Sequence, residues 1–420
     1  MNNALKDDIL DVEKYYDETI GAVTDQLYTW LSKSESVHDQ VNAWGRWIKI
    51  WSQFTLESFL ESNIEVIKAK VPVEDQADLD LVKLGNLLPW SNDAVRGYSV
   101  FCYTEQLDQS LGSYLNFELG KWCSREMHCL KGGMHSLPKA FFNAEGLSTD
   151  DIEYKKQVFE INYWYQDEYP LKDLVEVSCY SSSGAPSVYN AKFSAIFRTG
   201  HTCQSPGRFS KTVIVATPIN TLRQISFKPK LHNDESQLAM RKCVQAMEDV
   251  SIVQSTKVYI QTKQRFWENE GIKGGFSKTN LPIGQIHYLT PEDPNTKEGL
   301  VLIYTWKNEA LLFGSMKEEQ VKQKVMKQLA EIHPAFKEDM VTTCIVHAWY
   351  NQPSYQGAYG RMKAAQHKNI RYLWEPIGNV HFAGEGISFT PKWIQGALES
   401  GLKAAFQVYE RLMERTFYQS

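Results

Sequence analysis

The 420-residue sequence contains no G-x-G-x-x-G turn, no G-x-S-x-G elbow, no H-E-x-x-H pair and no G-x-x-x-x-G-K-[ST] loop. The last three absences exclude the common α/β-hydrolase, zinc-protease and P-loop chemistries. The first removes the usual strand–turn–helix cradle for a dinucleotide. No run of about 18 apolar residues occurs, so no transmembrane helix and no membrane partner are expected. Net charge is −5 and no basic block is present, which argues against nucleic acid as a partner. The seven cysteines are scattered, odd in number and free of C-x-x-C spacing. A disulfide framework and a zinc site are therefore not expected, and a reducing, cytoplasmic setting is the simpler reading. Cys123 and Cys129 flank Met127-His128 at a spacing that fits no standard metal site, so no metal is expected. The first residues are polar and acidic, unlike a secretory signal.

What is present describes a globular chain of about two domains. Apolar residues make up 43% and charged residues 23%, and the 12 Trp and 21 Tyr suit large cores and apolar clefts. Residues 5–130 carry apolar positions at helical spacing, among them Ile20, Val23, Leu27, Trp44, Trp47, Trp51 and Phe59. A Trp and Phe stripe of this kind reads first as core. Gly132 and Gly133 then break the pattern, and Ser136 is placed to cap a short helix begun by Leu137 and Pro138. Alternation predicts strands over 157–164, 174–180, 193–198, 251–262, 285–289, 299–306 and 340–350, with polar turns over 181–186 and 200–207. The apolar run 211–218 predicts a strand buried on both faces. Helices are expected over 238–247 and 317–332.

The closing stretch is the most ordered pattern: His381-Phe382-Ala383-Gly384-Glu385-Gly386, a loop with Ser388, Thr390 and Pro391, then Lys392-Trp393-Ile394-Gln395-Gly396-Ala397-Leu398-Glu399-Ser400-Gly401-Leu402. It predicts a strand, a Gly-Glu turn and a long helix whose N-terminus favours an anion or an electron-rich oxygen. Small residues at 396, 397, 400, 401 and 404 make a thin face suited to close contact. This stretch resembles the closing signature of the flavin-dependent amine oxidases, and in particular the L-amino-acid oxidases. The Gly-Gly-Met segment at 132–134, the Thr217-Pro218 strand end, the Lys257 strand and the Trp349 segment resemble that family in the same order.

The resemblance implies FAD as cofactor and oxidative deamination of an L-amino acid, with oxygen as the electron acceptor. It implies that Lys257 holds a water beside the flavin and assists reoxidation. It places Tyr304 on the substrate carboxylate and Trp306 beside it as an aromatic wall. Val175, Trp349, Gly384, Glu385, Trp393 and Ile394 fall at cofactor-binding positions. Lys392 departs from the family, which has a small residue before the Trp, so Lys392 and Trp393 are counted with the substrate-binding candidates.

The implied fold is α+β: an incomplete FAD-binding α/β domain, an antiparallel-sheet substrate-binding domain and a helical domain. The expected divisions are 1–130 helical, 131–218 FAD-domain segment with inserted strands, 219–340 substrate-binding domain, and 341–420 the end of that domain with the last FAD-binding segment. The family's G-x-G-x-x-G half is missing, so the expectation is a hetero-oligomer, of a subunit or a cleaved fragment, in which a complementing chain supplies it. A different amine, polyamine or monooxygenase activity, and a non-catalytic flavoprotein subunit, stay open as alternatives.

Overall fold

The structure, a computed structural model, describes residues 3–101, 107–119, 130–142, 148–164, 175–181, 208–210, 212–230, 234–289 and 295–417. Cys102, Cys123, Cys129, Cys203, the strand expected over 193–198 and most of both expected turns lie outside these residues.

The helical stretch folds as α1 Asn3–Ser32, α2 Val37–Trp51, α3 Leu56–Leu60, α4 Ile64–Lys70, α5 Val73–Gln76, α6 Leu81–Leu87, α7 Asn92–Phe101 and α8 Leu111–Leu119. Local chemistry sets several starts. Ser36 and Asp39 form a reciprocal capping box ahead of α2, and Thr55 and Ser58 form another ahead of α3. The aromatic stripe is core: Val23, Leu27, Trp47, Trp51, Phe54 and Phe59 are fully buried together. The buried indoles keep their N–H groups satisfied, Trp47 on the Val23 carbonyl at 3.0 Å and Trp51 on Gln26 Oε1 at 3.0 Å. The next described helix, α9 Ser136–Phe141, begins at Ser136 itself. Ser136 is therefore not its cap, because the preceding His135 already has helical backbone angles and makes no capping bond.

Strands follow: β1 Lys156–Trp164, β2 Val175–Ser181, β3 Arg208–Ser210 and β4 Val213–Val215, then α10 Ile219–Leu222, β5 Ser226–Lys230 and α11 Asp234–Asp249. The chain continues as β6 Ser251–Val253, β7 Ser255–Thr262, β8 Gly275–Lys278, β9 Gln285–Leu289, β10 Gly299–Trp306, α12 Lys307–Ser315, α13 Glu318–Ile332 and β11 Val341–Ala348. It ends with β12 Tyr359–Arg361, α14 His367–Trp374, β13 Val380–Phe382 and α15 Ile394–Phe417.

The largest described sheet is antiparallel, in the order β11-β7-β10-β9-β8. Its inner face carries Val258, Ile260, Ile286, Val301 and Ile303 against α13, where Val321, Val325 and Leu329 are fully buried. A mixed sheet runs β3-β2-β1-β5, with β1 and β5 parallel. β12 pairs β6, and β13 pairs β4 in parallel. Val215, Met247, Leu373, Val380 and Phe382 share a core around that parallel pair. The fold is α+β. No described helix is long and apolar enough to cross a membrane.

Two expected strands are corrected. The run 251–262 is not one strand. It breaks at Gln254, whose carbonyl accepts the Lys307 N–H at 3.1 Å, and the chain changes sheets there. The run 211–218 is not buried on both faces: of its described residues only 213–215 are strand, and Ile214 is 40% exposed while Val215 is buried. Coverage of β4 from one side produces that alternation.

Candidate active site

β13 leads directly into the Gly-Glu turn. Gly384 takes φ +138°, a conformation that a side chain would strain. Ser400 of α15 clamps it: the Gly384 N–H donates to Ser400 Oγ at 2.9 Å, and that hydroxyl donates to the Gly384 carbonyl at 3.1 Å. The Glu385 carboxylate is tied at both ends. Oε1 accepts the Gly360 N–H at 2.8 Å and Oε2 accepts the Lys392 N–H at 2.8 Å. Burial pushes this carboxyl above its ordinary value, and the two N–H bonds pull partly the other way. Glu385 thus bridges β12 to the turn ahead of α15.

That turn is tight. Ser388 Oγ donates to the Glu385 carbonyl at 2.8 Å and accepts the Thr390 N–H at 3.2 Å. A Cβ at Gly396 would meet the Thr390 carbonyl and Ser388 Oγ, so only glycine lets the helix sit this close to its own loop. Lys392 is left-handed at φ +78°, and α15 starts two residues later.

Beside the turn lies a cleft of about 280 Å³, walled by Thr217, Pro218, Ile252, Tyr355, Glu385 and Ala397 among others. The Thr217 hydroxyl is buried there without a hydrogen-bond partner among the described residues. FAD, the cofactor implied by the sequence, fits these residues. Small side chains and backbone line the cleft, an orphan hydroxyl faces a place for a polar group, and a carboxylate fixes the wall.

A second group forms on the outer face of the large sheet. β7 lies between β10 and β11, and register puts Lys257 opposite Tyr304 on one side and His347 on the other. The Lys257 ammonium stands 4.5 Å from the Tyr304 ring centroid. The Tyr304 and Trp306 rings are 4.1 Å apart, and His287 lies 6.3 Å from Tyr304. Burial pushes Lys257 below its ordinary value, with no charged neighbour among the causes. Burial, and then the Lys257 charge, push His287 down as well. Ser255 Oγ, His287 Nε2 and His347 Nε2 are buried without partners among the described residues. Such a concentration of unmatched polar atoms around an ammonium suits a bound water or ligand.

Lys392 points toward the helical layer. Its ammonium donates to Gln109 Oε1 at 2.7 Å and stands 5.6 Å from the Tyr359 ring centroid. Trp393 stacks on Phe117 with centroids 5.7 Å apart. Next to Gln109, Asp108 Oδ1 accepts from Lys307 and from the nearly buried Arg361, each at 2.5 Å. The 108–109 turn therefore fastens the helical layer to β12, to the start of α12 and to the turn before α15.

The structure brings Lys257, Tyr304 and Trp306 together, and separately gathers Gly384, Glu385, Lys392 and Trp393. Tyr304 and Trp306 line a crevice of about 150 Å³ with Gln285 and Glu309. Trp349 touches both regions: its ring meets His347 at 4.4 Å and Tyr355, in the wall of the larger cleft, at 5.5 Å. Ile394 begins α15 and is 46% exposed. Val175 lies apart, fully buried in β2 between Tyr163 and Ser210. Sequence reading missed His287, His347, Asp108 and Arg361. The only prior signal for the two histidines was their place on strands flanking the Lys257 strand.

Comparison with known proteins gives these groups a context. The family profile described as flavin containing amine oxidoreductase matches residues 94–409. An L-amino-acid oxidase of Siganus canaliculatus is 30% identical over 204 residues, covering 48% of this chain and 37% of that protein. An L-amino-acid oxidase of Demansia vestigiata is 25% identical over 370 residues, 85% of this chain and 62% of that protein. The chain thus spans between about a third and three-fifths of these relatives. A solved double mutant of a putrescine oxidase superposes over 95% of this chain and 76% of its own at a TM-score of 0.59 and 14% identity, a likeness of fold. With the match extending over most of the sequence, the chain belongs to the family of flavin-containing amine oxidoreductases.

Proposed function

We propose that these residues are the later part of an FAD-dependent L-amino-acid oxidase, completed by a second chain that carries the G-x-G-x-x-G strand–turn–helix. The supporting observation is the Gly384–Glu385 turn. Glu385, tied to the Gly360 and Lys392 N–H groups, fixes the wall of a cleft of about 280 Å³. The Gly384 backbone and the Thr217 hydroxyl, which has no partner among the described residues, also line that cleft. The sequence carries no G-x-G-x-x-G to complete the cradle.

FAD held by these residues would supply the acceptor for a hydride from the amino-acid α-carbon and the route of its electrons to oxygen. The chain's own groups hold the reactants. Tyr304 orients the substrate carboxylate and Trp306 walls the side chain. Lys257, held near the ring face of Tyr304, orders a water by its ammonium N–H donors. Glu385 holds the turn, and the first N–H groups of α15 supply partial positive charge. The products are a keto acid, ammonia and hydrogen peroxide. The same reading takes 1–130 as the helical domain, 131–218 and 341–420 as contributors to the FAD domain and the end of the substrate domain, and 219–340 as the substrate-binding domain, in a cytoplasmic enzyme.

The test is to purify the chain alone and co-expressed with a polypeptide carrying the G-x-G-x-x-G segment, and to record flavin absorbance. Flavin is expected only in the pair, with peroxide formed from L-amino acids. Full FAD occupancy in the isolated chain overturns the two-chain reading. Peroxide from primary amines or polyamines alone replaces the substrate class, and flavin without any turnover makes the pair a non-catalytic flavoprotein.

A further inference from the structure

The pleat of the large sheet decides which polar groups meet on its outer face. Val258 and Val346 pair across β7 and β11 and pack with the α13 core, so their neighbours Lys257 and His347 pair on the opposite face. Residues directly opposite in an antiparallel pair hold their Cβ atoms about 5 Å apart. On its other side Lys257 faces Tyr304 across the β7–β10 ladder, its ammonium 4.5 Å from the ring centroid.

The His347 ring is held in one orientation. It meets Trp349 edge-on, with centroids 4.4 Å apart and planes at 74°. Trp349 in turn meets Tyr355, so two ring contacts join His347 to the wall of the larger cleft. His347 Nε2 is buried and has no hydrogen-bond partner among the described residues. A buried imidazole nitrogen calls for one. The residue directly across the ladder, Lys257, carries three N–H donors and no acceptor. Water suits the space between such a pair, because it accepts from the ammonium and donates to the imidazole. Ser255 Oγ, two residues back along β7 on the same face, is also buried without a described partner and offers a further contact. His287 is less well placed: its strand, β9, has β10 between it and β7.

We infer that His347 is a positioning residue of the oxidative half-reaction. The water to which Lys257 donates gives one of its hydrogens to His347 Nε2, so β7 and β11 hold that water together. This inference rests on the oxidase reading above. The arrangement requires the tautomer with its proton on Nδ1, which leaves the Nε2 lone pair as the acceptor. Oxygen takes two electrons and two protons from the reduced cofactor and leaves as hydrogen peroxide; the water is not consumed. A water fixed at one lone pair and one hydrogen has few orientations left, and that is the contribution of His347.

Two measurements test this. The first uses the 420-residue chain without cofactor and with isotope-labelled histidine. Nitrogen NMR is expected to show His347 protonated at Nδ1 and unprotonated at Nε2. A crystal structure of the same protein is expected to show one water within hydrogen-bond distance of both Lys257 Nζ and His347 Nε2. The second uses the flavin-loaded complex with the polypeptide that carries the G-x-G-x-x-G segment. In stopped flow, His347→Phe is expected to slow reoxidation by oxygen about tenfold, while flavin reduction by the L-amino acid changes less than about twofold. His347→Gln keeps an acceptor oxygen and recovers most of the lost rate, a difference that a purely structural role for the ring would not produce. Should His347→Phe melt early, the tautomer and the shared water in the wild-type chain decide the matter. A proton on Nε2, no shared water, unchanged reoxidation in the Phe variant or equal slowing by Phe and Gln overturns the inference and leaves the oxidase reading standing. A flavin-loaded complex that forms no peroxide from L-amino acids overturns the oxidase reading, and the role of His347 with it, even where the shared water is seen.

Discussion

Lys257 and Tyr304 face each other across the β7–β10 ladder, with the ammonium 4.5 Å from the ring centroid. The contact places a positive charge against a π face where burial already disfavours it. A lysine in that position keeps its donors for a small polar molecule. Lys257→Met is expected to leave flavin content unchanged and to slow reoxidation by oxygen at least about tenfold. Stopped-flow mixing of the reduced complex with oxygen measures this, and equal rates remove the role.

Glu385 gives a pH test. Its carboxyl lies above the ordinary 4.5 because of burial. Between 4.5 and the raised value the folded state binds more protons than the unfolded state. The glutamic acid therefore stabilises most at low pH, and that contribution is lost as pH rises through the raised value. The stability of wild type relative to Glu385→Gln should fall over that window. Glu385→Ala leaves the Gly360 and Lys392 N–H groups unpaired, at a cost of about 2 kcal/mol or more. Thermal melts of the three proteins across pH decide both points.

Lys392 sits at φ +78°, where an L side chain is strained. Lys392→Gly removes that strain and Lys392→Ala retains it, while both remove the bond to Gln109. The glycine variant should be more stable than the alanine variant by about 1 kcal/mol. Equal melting temperatures would show that the turn has relaxed out of this conformation.

Gly396→Ala tests the fit of α15 to its loop. Alanine is the better helix former by about 1 kcal/mol. Its Cβ, however, would run into the Thr390 carbonyl, a backbone atom that gives way only if the turn moves. The variant should be less stable than wild type, and its complex should hold less flavin. A more stable, fully flavinated variant would refute the close approach.

Much of the fold was legible because it is local. β7, β9 and β10 alternate in sequence as they do in space, since one face packs on α13 and the other does not. The Trp47 and Trp51 stripe reads as core from spacing alone, and it is core. Other features depend on partners far along the chain. The break at Gln254 arises because Lys307 claims its carbonyl and two sheets compete for neighbouring residues. Ser136 looks like a cap, but the backbone at His135 is already helical. The motif order of the last stretch named the family, whereas His287 and His347 join Lys257 only through strand register.

The sequence by itself determined many of the elements, the order of the flavin-family motifs and the small-residue face of the last helix. Those are properties of spacing and of side-chain size. Tertiary structure decided which face of that helix is buried. The Gly384 turn accepts close backbone contact only from the small face, through the Ser400 hydroxyl, and this forces Leu402 and Phe406 outward. It also decided that Lys257 meets Tyr304 and that Glu385 bridges Gly360 to Lys392. Those contacts join residues distant in sequence, and only the paired sheets and the closed turn bring their atoms within reach.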